Sequence, residues 1–351
     1  MQKDIDIIIY GATGFTGKLC VKYFQSLDTT VTWAMAGRNL TKLKKVAEDH
    51  QTKVEILIAD SDDESALDHL TSRAKVILST TGPFHRYGSK LVASCIKNHA
   101  HYVDITGENF WVKGLIEKHH AEASAKGIRI IPSCGFDSIP SDLGTFFSAK
   151  AIGKPIKRIE SFHSYKGGAS GGTLETMFSM GELDLGDDLT DPFLLNPKDS
   201  YSNEQKQLSS DRVGIARKPE ISAWSGPFIM ATANTRVVRR TEALLALRQE
   251  SYGADFTYQE HAYHKSWFSA ARSLILTGIS VLVLLSPLKK LVKPFLPKPG
   301  EGPSESVQEN GWIDCKYIVE ADDGIKSVFN MNGKGDPGYK VASKLVSECA
   351  L

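Results

Sequence analysis

The chain has 351 residues, 41% of them hydrophobic and 24% charged, with 42 basic against 41 acidic side chains and a net charge of +1. That length suggests about two globular domains. The composition argues against a disordered chain, and the balanced charge against a nucleic-acid binder. The five cysteines (Cys20, Cys95, Cys134, Cys315, Cys349) are scattered and form no CxxC pair, which predicts a reducing compartment and neither a disulfide framework nor a structural zinc.

The first 150 residues alternate short apolar runs with helical periods. Asp4–Tyr10, Val31–Ala36, Val54–Ala59, Lys75–Thr80, Tyr102–Ile105 and Ile128–Ile131 read as strands. Lys18–Leu27 and Thr41–Asp49 read as helices, and Ser61-Asp62-Asp63-Glu64 predicts a third, with Ser61 at its cap. Such alternation predicts an α/β fold, a Rossmann-type doubly wound parallel sheet. After Lys150 the texture changes: Ile159–Tyr165, Asp255–His264, Ile313–Glu320 and Ile325–Met331 alternate like half-buried strands, and Asp184–Pro219 reads as a long excursion. A second, α+β domain follows, over 146–331, after a first domain of 1–145 on which the segment 332–351 packs back.

Gly11-Ala12-Thr13-Gly14-Phe15-Thr16-Gly17 lies between the first strand and a helix. This spacing lets the backbone turn sharply and approach a pyrophosphate, with the helix N-terminus supplying N–H donors. A bare tight turn would use the same residues. At the end of the second strand an NAD site would carry an acid, but the chain reads Gly37-Arg38-Asn39; a guanidinium there suits the 2′-phosphate of NADP, unless Arg38 is only a solvated loop residue. Asp60, after the third strand, faces the adenine or caps a helix. Thr80, Thr81, Gly82 and Pro83 end the fourth strand, on the side where the nicotinamide half would lie. Tyr87, Asp104 and Asp137 sit on strand-end loops of that same side and are the candidate proton donors. For Asp137 and Ser138, capping of the helix beginning near Ser141 is a strong alternative.

In the second half, Gly167–Thr173 precedes a helical run from Leu174 to Gly181 and reads as an anion cradle, a lid or a plain turn. Arg236, Arg239 and Arg240 could hold a carboxylate, though on a helix surface such groups are usually solvated. His119, His120, His261 and His264 lack ligand spacing, so no metal is expected. The apolar run Leu274–Leu285 is too short to span a bilayer, at about 18 Å against roughly 30 Å of hydrocarbon. With Lys289, Lys290 and Lys293 behind it, it suits a buried helix, a homodimer interface or a membrane surface. The acidic start, Met1 to Asp6, is unlike a secretory signal, so a cytoplasmic protein is expected, peripheral at a membrane if that last alternative holds.

Together GATGFTG, AGR, TTGPFHRYG, YVDITGE, CGFDSIPSDLG, SGGT, VVRR and GDPGY, in this order, resemble the saccharopine-dehydrogenase-like oxidoreductases, especially the branch of the trans-acting enoyl reductases. The resemblance covers nearly the whole chain. It implies an NADP-dependent oxidoreductase reducing a C=C or C=O bond of a small-molecule or lipid-linked substrate. Two alternatives stay open: saccharopine-type amino-acid chemistry, and a non-catalytic nucleotide-binding protein at a lipid surface. Family members continue past the segment matching Glu348–Leu351, so an opened crevice or weakened activity is expected of a chain that stops there.

Overall fold

The computed structural model describes residues 3–136, 138–286, 288–298 and 300–351. The first half builds one sheet from β1 (Ile5–Tyr10), β2 (Trp33–Gly37), β3 (Glu55–Ile58), β4 (Ala74–Ser79), β5 (His101–Asp104) and β6 (Ile130–Ile131). Every pairing is parallel and the order is β3-β2-β1-β4-β5-β6, which places the reversal of strand order between β1 and β4. Helices α1 (Phe15–Ser26), α2 (Leu40–Asp49), α3 (Glu64–Arg73), α4 (Phe84–Tyr87), α5 (Ser89–Lys97) and α6 (Asn109–Ala125) supply the crossovers. Ile8 and Ile9, at the centre of β1, are fully buried on opposite faces. This is the expected doubly wound α/β sheet, whose ligand crevice lies beyond the strand ends at the switch point.

Helix α7 (Ile139–Ile152) leads into the second sheet, of order β12-β11-β7-β10-β9-β8. Its strands are β7 (Ile156–Lys166), β8 (Ala216–Lys218), β9 (Ala223–Gly226), β10 (Thr257–His264), β11 (Trp312–Ala321) and β12 (Lys326–Lys334). β7 and β10 run parallel and the other neighbours antiparallel, a mixed sheet. Around it lie α8 (Gly171–Met180), α9 (Asn203–Leu208), α10 (Ala231–Ala246), α11 (Trp267–Leu285), α12 (Lys289–Val292) and α13 (Glu305–Glu309). The last helix, α14 (Ala342–Ala350), returns to the first sheet, where Val346 and Ala350 share a core with Ile7, Cys20 and Phe24.

Four expectations are corrected. The cap of α3 is Asp63, whose carboxylate accepts from the Ala66 amide at 3.0 Å, and not Ser61. At α7 the cap position is Ser138, but its hydroxyl turns away to Asn234 Oδ1 at 3.3 Å and caps nothing. Arg236 and Arg239 are buried, and with Arg240 they bind main-chain carbonyls of the 189–195 segment: Arg236 to Leu189 and Asp191, Arg239 to Pro192, Arg240 to Leu195. They anchor the long excursion, a job invisible to a reading that expects exposed arginines. Finally, the apolar helix starts at Trp267, well before Leu274, and is not a core helix. Phe268, Ile275, Ile279 and Leu282 are exposed by half or more, as are Leu291 and Phe295 just beyond it. No helix among the described residues is long and apolar enough to cross a membrane.

Candidate functional site

A cavity of about 1260 Å³ opens over the switch point and continues beneath α8. Its floor is the first β-α turn. Gly11 has φ +89°, a conformation that side chains rarely adopt, and its amide and that of Ala12 bond to the Ala36 carbonyl. Gly17 lets α1 approach that turn: a Cβ there would overlap the Gly11 carbonyl and the Ala12 Cα. No side chain caps α1 at Gly14, so the first amides of the helix face the cavity uncapped. Thr13, Gly14, Phe15 and Thr16 line it, while Ala12 and Gly17 lie behind and shape the turn.

On one flank lies Arg38, its side chain 76% exposed and one guanidinium nitrogen 4.0 Å from the Asp60 carboxylate. Asn39 does not line the cavity; it caps α2, accepting from the Lys42 amide at 2.9 Å. Asp60 accepts from the Asp62 amide at 3.0 Å and reaches the site only through Arg38. Thr80, Thr81, Gly82 and Pro83 form the opposite lip. The Thr81 hydroxyl oxygen there is shielded from solvent and has no hydrogen-bond partner within the protein. The arrangement fits a 2′-phosphorylated dinucleotide: uncapped amides on the pyrophosphate side, a mostly free guanidinium, no acid at the end of β2, and an orphaned Thr81 hydroxyl beside the glycine turn.

The acid–base candidates separate. Tyr87 lines the cavity, half-buried. Asp104 does not: it is fully buried and folds back on its own loop, accepting from the Tyr102 hydroxyl and from the amides of Thr106 and Ser133, each at 2.9 Å. Burial outweighs those bonds and pushes its carboxyl up to about 7. Asp137 lies outside the described residues.

Two arrangements escaped the sequence. Glu108, with no exposure, accepts from the Phe84 amide at 2.7 Å, the His85 amide at 2.8 Å and His85 Nδ1 at 2.5 Å; His85 Nε2 in turn lies 2.8 Å from the Ser179 hydroxyl of α8. This chain ties the β4 loop to the roof of the cavity. Second, Tyr339 of GDPGY enters the cavity wall, its ring edge-on to Phe15 at 5.1 Å. Its hydroxyl accepts from the Ser170 amide at 2.5 Å and lies 2.7 Å from Thr173 Oγ1. So the SGGT stretch opens α8, with Ser170 as its cap (3.3 Å to the Thr173 amide), and is braced by the chain's C-terminal part. The motifs were visible; their contact, across 169 residues, was not.

Beyond the nucleotide end the lining turns apolar. Met177 and Met180 of α8, Leu183, Leu185, Ile229 and Met230 close around it, and Val281 of the exposed α11 reaches its edge.

Residues 7–131 match the family model for the saccharopine dehydrogenase NADP binding domain. A putative trans-acting enoyl reductase of Mycobacterium tuberculosis is 35% identical over 375 residues, 99% of this chain and 88% of the relative. The trans-acting enoyl reductase of Mycobacterium leprae is 33% identical over 382 residues, 100% of this chain and 89% of its own. In fold, the chain is similar to apo saccharopine dehydrogenase (L-Glu forming) from Saccharomyces cerevisiae, with a TM-score of 0.53 at 13% identity over 99% of this chain and 89% of that one. Sequence and fold agree: the chain belongs to the saccharopine-dehydrogenase-like NADP-dependent oxidoreductases, in the branch of the trans-acting enoyl reductases.

Proposed function

We propose that this protein reduces a carbon–carbon double bond in the acyl part of a lipid-linked substrate, and that α11 rests on a membrane surface while it does so. The observation that carries the reading is the continuity of the cavity. About 1260 Å³ exceeds the roughly 300–1,000 Å³ usual for a single small-molecule site, and its far end is walled by methionine and leucine. Met177 and Met180 are unbranched and adaptable, which suits an acyl chain without fixed shape.

When bound, the reduced coenzyme supplies the hydride. The residues of this chain do the rest. The turn at Gly11 and the first amides of α1 hold the pyrophosphate, Arg38 takes the 2′-phosphate, and Thr80–Pro83 borders the nicotinamide half. The apolar roof excludes water and packs the chain to be reduced.

Saccharopine-type amino-acid chemistry would need free cations in the far chamber. Arg236 lines it, but its guanidinium is held by the Asp211 carboxylate at 2.5 and 2.7 Å. Lys293 lies 3.0 Å from Glu175. Neither is left for a substrate carboxylate. The membrane part of the reading draws on the exposed Ile275, Ile279 and Leu282, an outward apolar face that suits a bilayer interface, while Lys289 and Lys293 past the helix end pair with Glu182 and Glu175.

A chain-length series tests the substrate. With NADPH and trans-2-enoyl thioesters, kcat/KM is expected to rise about fourfold per added methylene until the chamber is full, from ~0.8 kcal/mol per buried CH₂. Equal rates from short to long chains would remove the lipid reading while leaving the reductase intact.

A further inference from the structure

We propose that Tyr339, and not Asp104, gives the substrate its proton. The inference rests on the enoyl-reductase reading above and deepens it. Addition of hydride at the β carbon of an enoyl thioester leaves an enolate, which becomes product only when a proton reaches the α carbon. The donor must touch the cavity, be shielded from water, stabilise its own conjugate base and recover the proton afterwards.

Tyr339 meets each demand. It lines the cavity at only 5% exposure. Its ring is clamped edge-on by Phe15 of the glycine loop, while Thr173 sits one turn before Met177 and two turns before Met180. The phenol therefore stands where the coenzyme end meets the acyl end. Its oxygen accepts the Ser170 N–H at 2.5 Å, at the start of α8, where the helix dipole favours negative charge. Thr173 Oγ1, at 2.7 Å, can donate to the same oxygen. With both lone pairs engaged, the single phenolic proton is left for the cavity. The same two donors would hold the phenolate, as an oxyanion site does.

The step balances. The Tyr339 O–H bond breaks and a C–H bond forms at the α carbon with the enolate's electron pair. The phenolate then recovers a proton from water along Thr173 and Ser170, whose hydroxyls lie 3.4 Å apart. The competitors lack this geometry. Asp104 does not reach the cavity, and the Glu108 carboxylate is spent on two amides and His85.

The experiment uses the whole chain, NADPH and trans-2-dodecenoyl N-acetylcysteamine thioester. Tyr339→Phe is expected to lower kcat about 100-fold or more, within the 10²–10⁴ range of general acid catalysis. NADPH affinity, read by its fluorescence, and the melting temperature should stay close to wild type. In D₂O the wild type should place deuterium on one face of the α carbon, and Tyr339→Phe on both, because bulk water then protonates the freed enolate. A merely structural tyrosine would not change that stereochemistry. Thr173→Val keeps the phenol and should lower kcat with unchanged melting, which decides the matter if Tyr339→Phe folds poorly. Full kcat, or one-face labelling, in Tyr339→Phe overturns the assignment while the reductase reading stands; so does full kcat in Thr173→Val. A wild type that oxidises no NADPH with any enoyl thioester overturns the reductase reading and this inference with it.

Discussion

At the glycine turn the wall of the cavity is backbone: Gly11 at φ +89°, Gly17 pressed on the Gly11 carbonyl, amides without a side-chain cap. Across the same cavity the wall is side chain: methionines on α8, leucines on the loop behind it, and an α11 whose apolar residues face outward. The first wall recognises a fixed shape and tolerates no added atom. The second covers a flexible apolar surface and tolerates many. On the proposed function, a constant coenzyme against an adaptable acyl chain is the contrast these walls would serve, and it decides where mutations should hurt.

The sharpest break is expected at Gly17→Ala. One methyl group would meet main-chain atoms of Gly11 and Ala12, which cannot swing aside like a side chain. Relief by moving α1 would withdraw its amides from the pyrophosphate. Overpacking of this kind costs roughly 1–3 kcal/mol, so NADPH affinity should fall about 5- to 150-fold. Fluorescence titration measures it, and a variant binding NADPH as tightly as wild type would mean that the turn does not hold the coenzyme.

An intermediate effect belongs to the helices packed on the second sheet. Asp142, in the first turn of α7, is half-buried; its Oδ2 accepts from the Thr241 hydroxyl at 2.9 Å, and its solvent-shielded Oδ1 has no partner within the protein. Burial pushes this carboxyl up to about 7. Between the ordinary carboxylate range near 4 and that value, the folded chain holds a proton that the unfolded chain has lost. Stability from this group is therefore present at low pH and drains away as pH rises through the window. Asp142→Asn removes the penalty. It should stabilise the protein by on the order of 2–4 kcal/mol at pH 8 and by less, roughly 1–2 kcal/mol, at pH 5, as read from urea unfolding at the two pH values. Equal gains at both would show that Asp142 is ionised in the fold throughout. Asp104 titrates in the same range, so part of the wild-type slope will survive in the variant.

The two walls also differ in how far the sequence disclosed them. The alternation of strands and helices, the glycine turn and the position of Arg38 follow from local spacing, because each depends on residues a few positions apart whose chemistry is specific. The opposite wall is assembled at long range. Tyr339 meets Ser170, and His85 meets Ser179, through contacts that no window of sequence contains. Arg236 and Arg239 looked like surface charge because burial of an arginine is legible only once its carbonyl acceptors are placed. The cap of α3 slipped from Ser61 to Asp63 for a smaller reason: both are good caps, and only the start of the helix chooses between them. Leu274–Leu285 was ambiguous in principle, since a run of apolar residues looks the same whether it faces a core or a lipid.

That ambiguity sets the last prediction, the smallest in its effect on folding. Ile279 is 52% exposed and Leu282 64%. Replacing both with serine removes apolar surface that touches little of the fold, so stability should change by no more than about 0.5 kcal/mol. Turnover of a water-soluble, short-chain enoyl thioester should not change either, because neither residue lines the cavity. Flotation with vesicles containing anionic lipid should be another matter. Wild type is expected to float and the double variant to stay behind. If the variant floats as well as wild type, α11 does not face the bilayer. If it instead loses several kcal/mol of stability, the helix is covered by a second copy of the chain, and the adaptable wall is closed by protein and not by lipid.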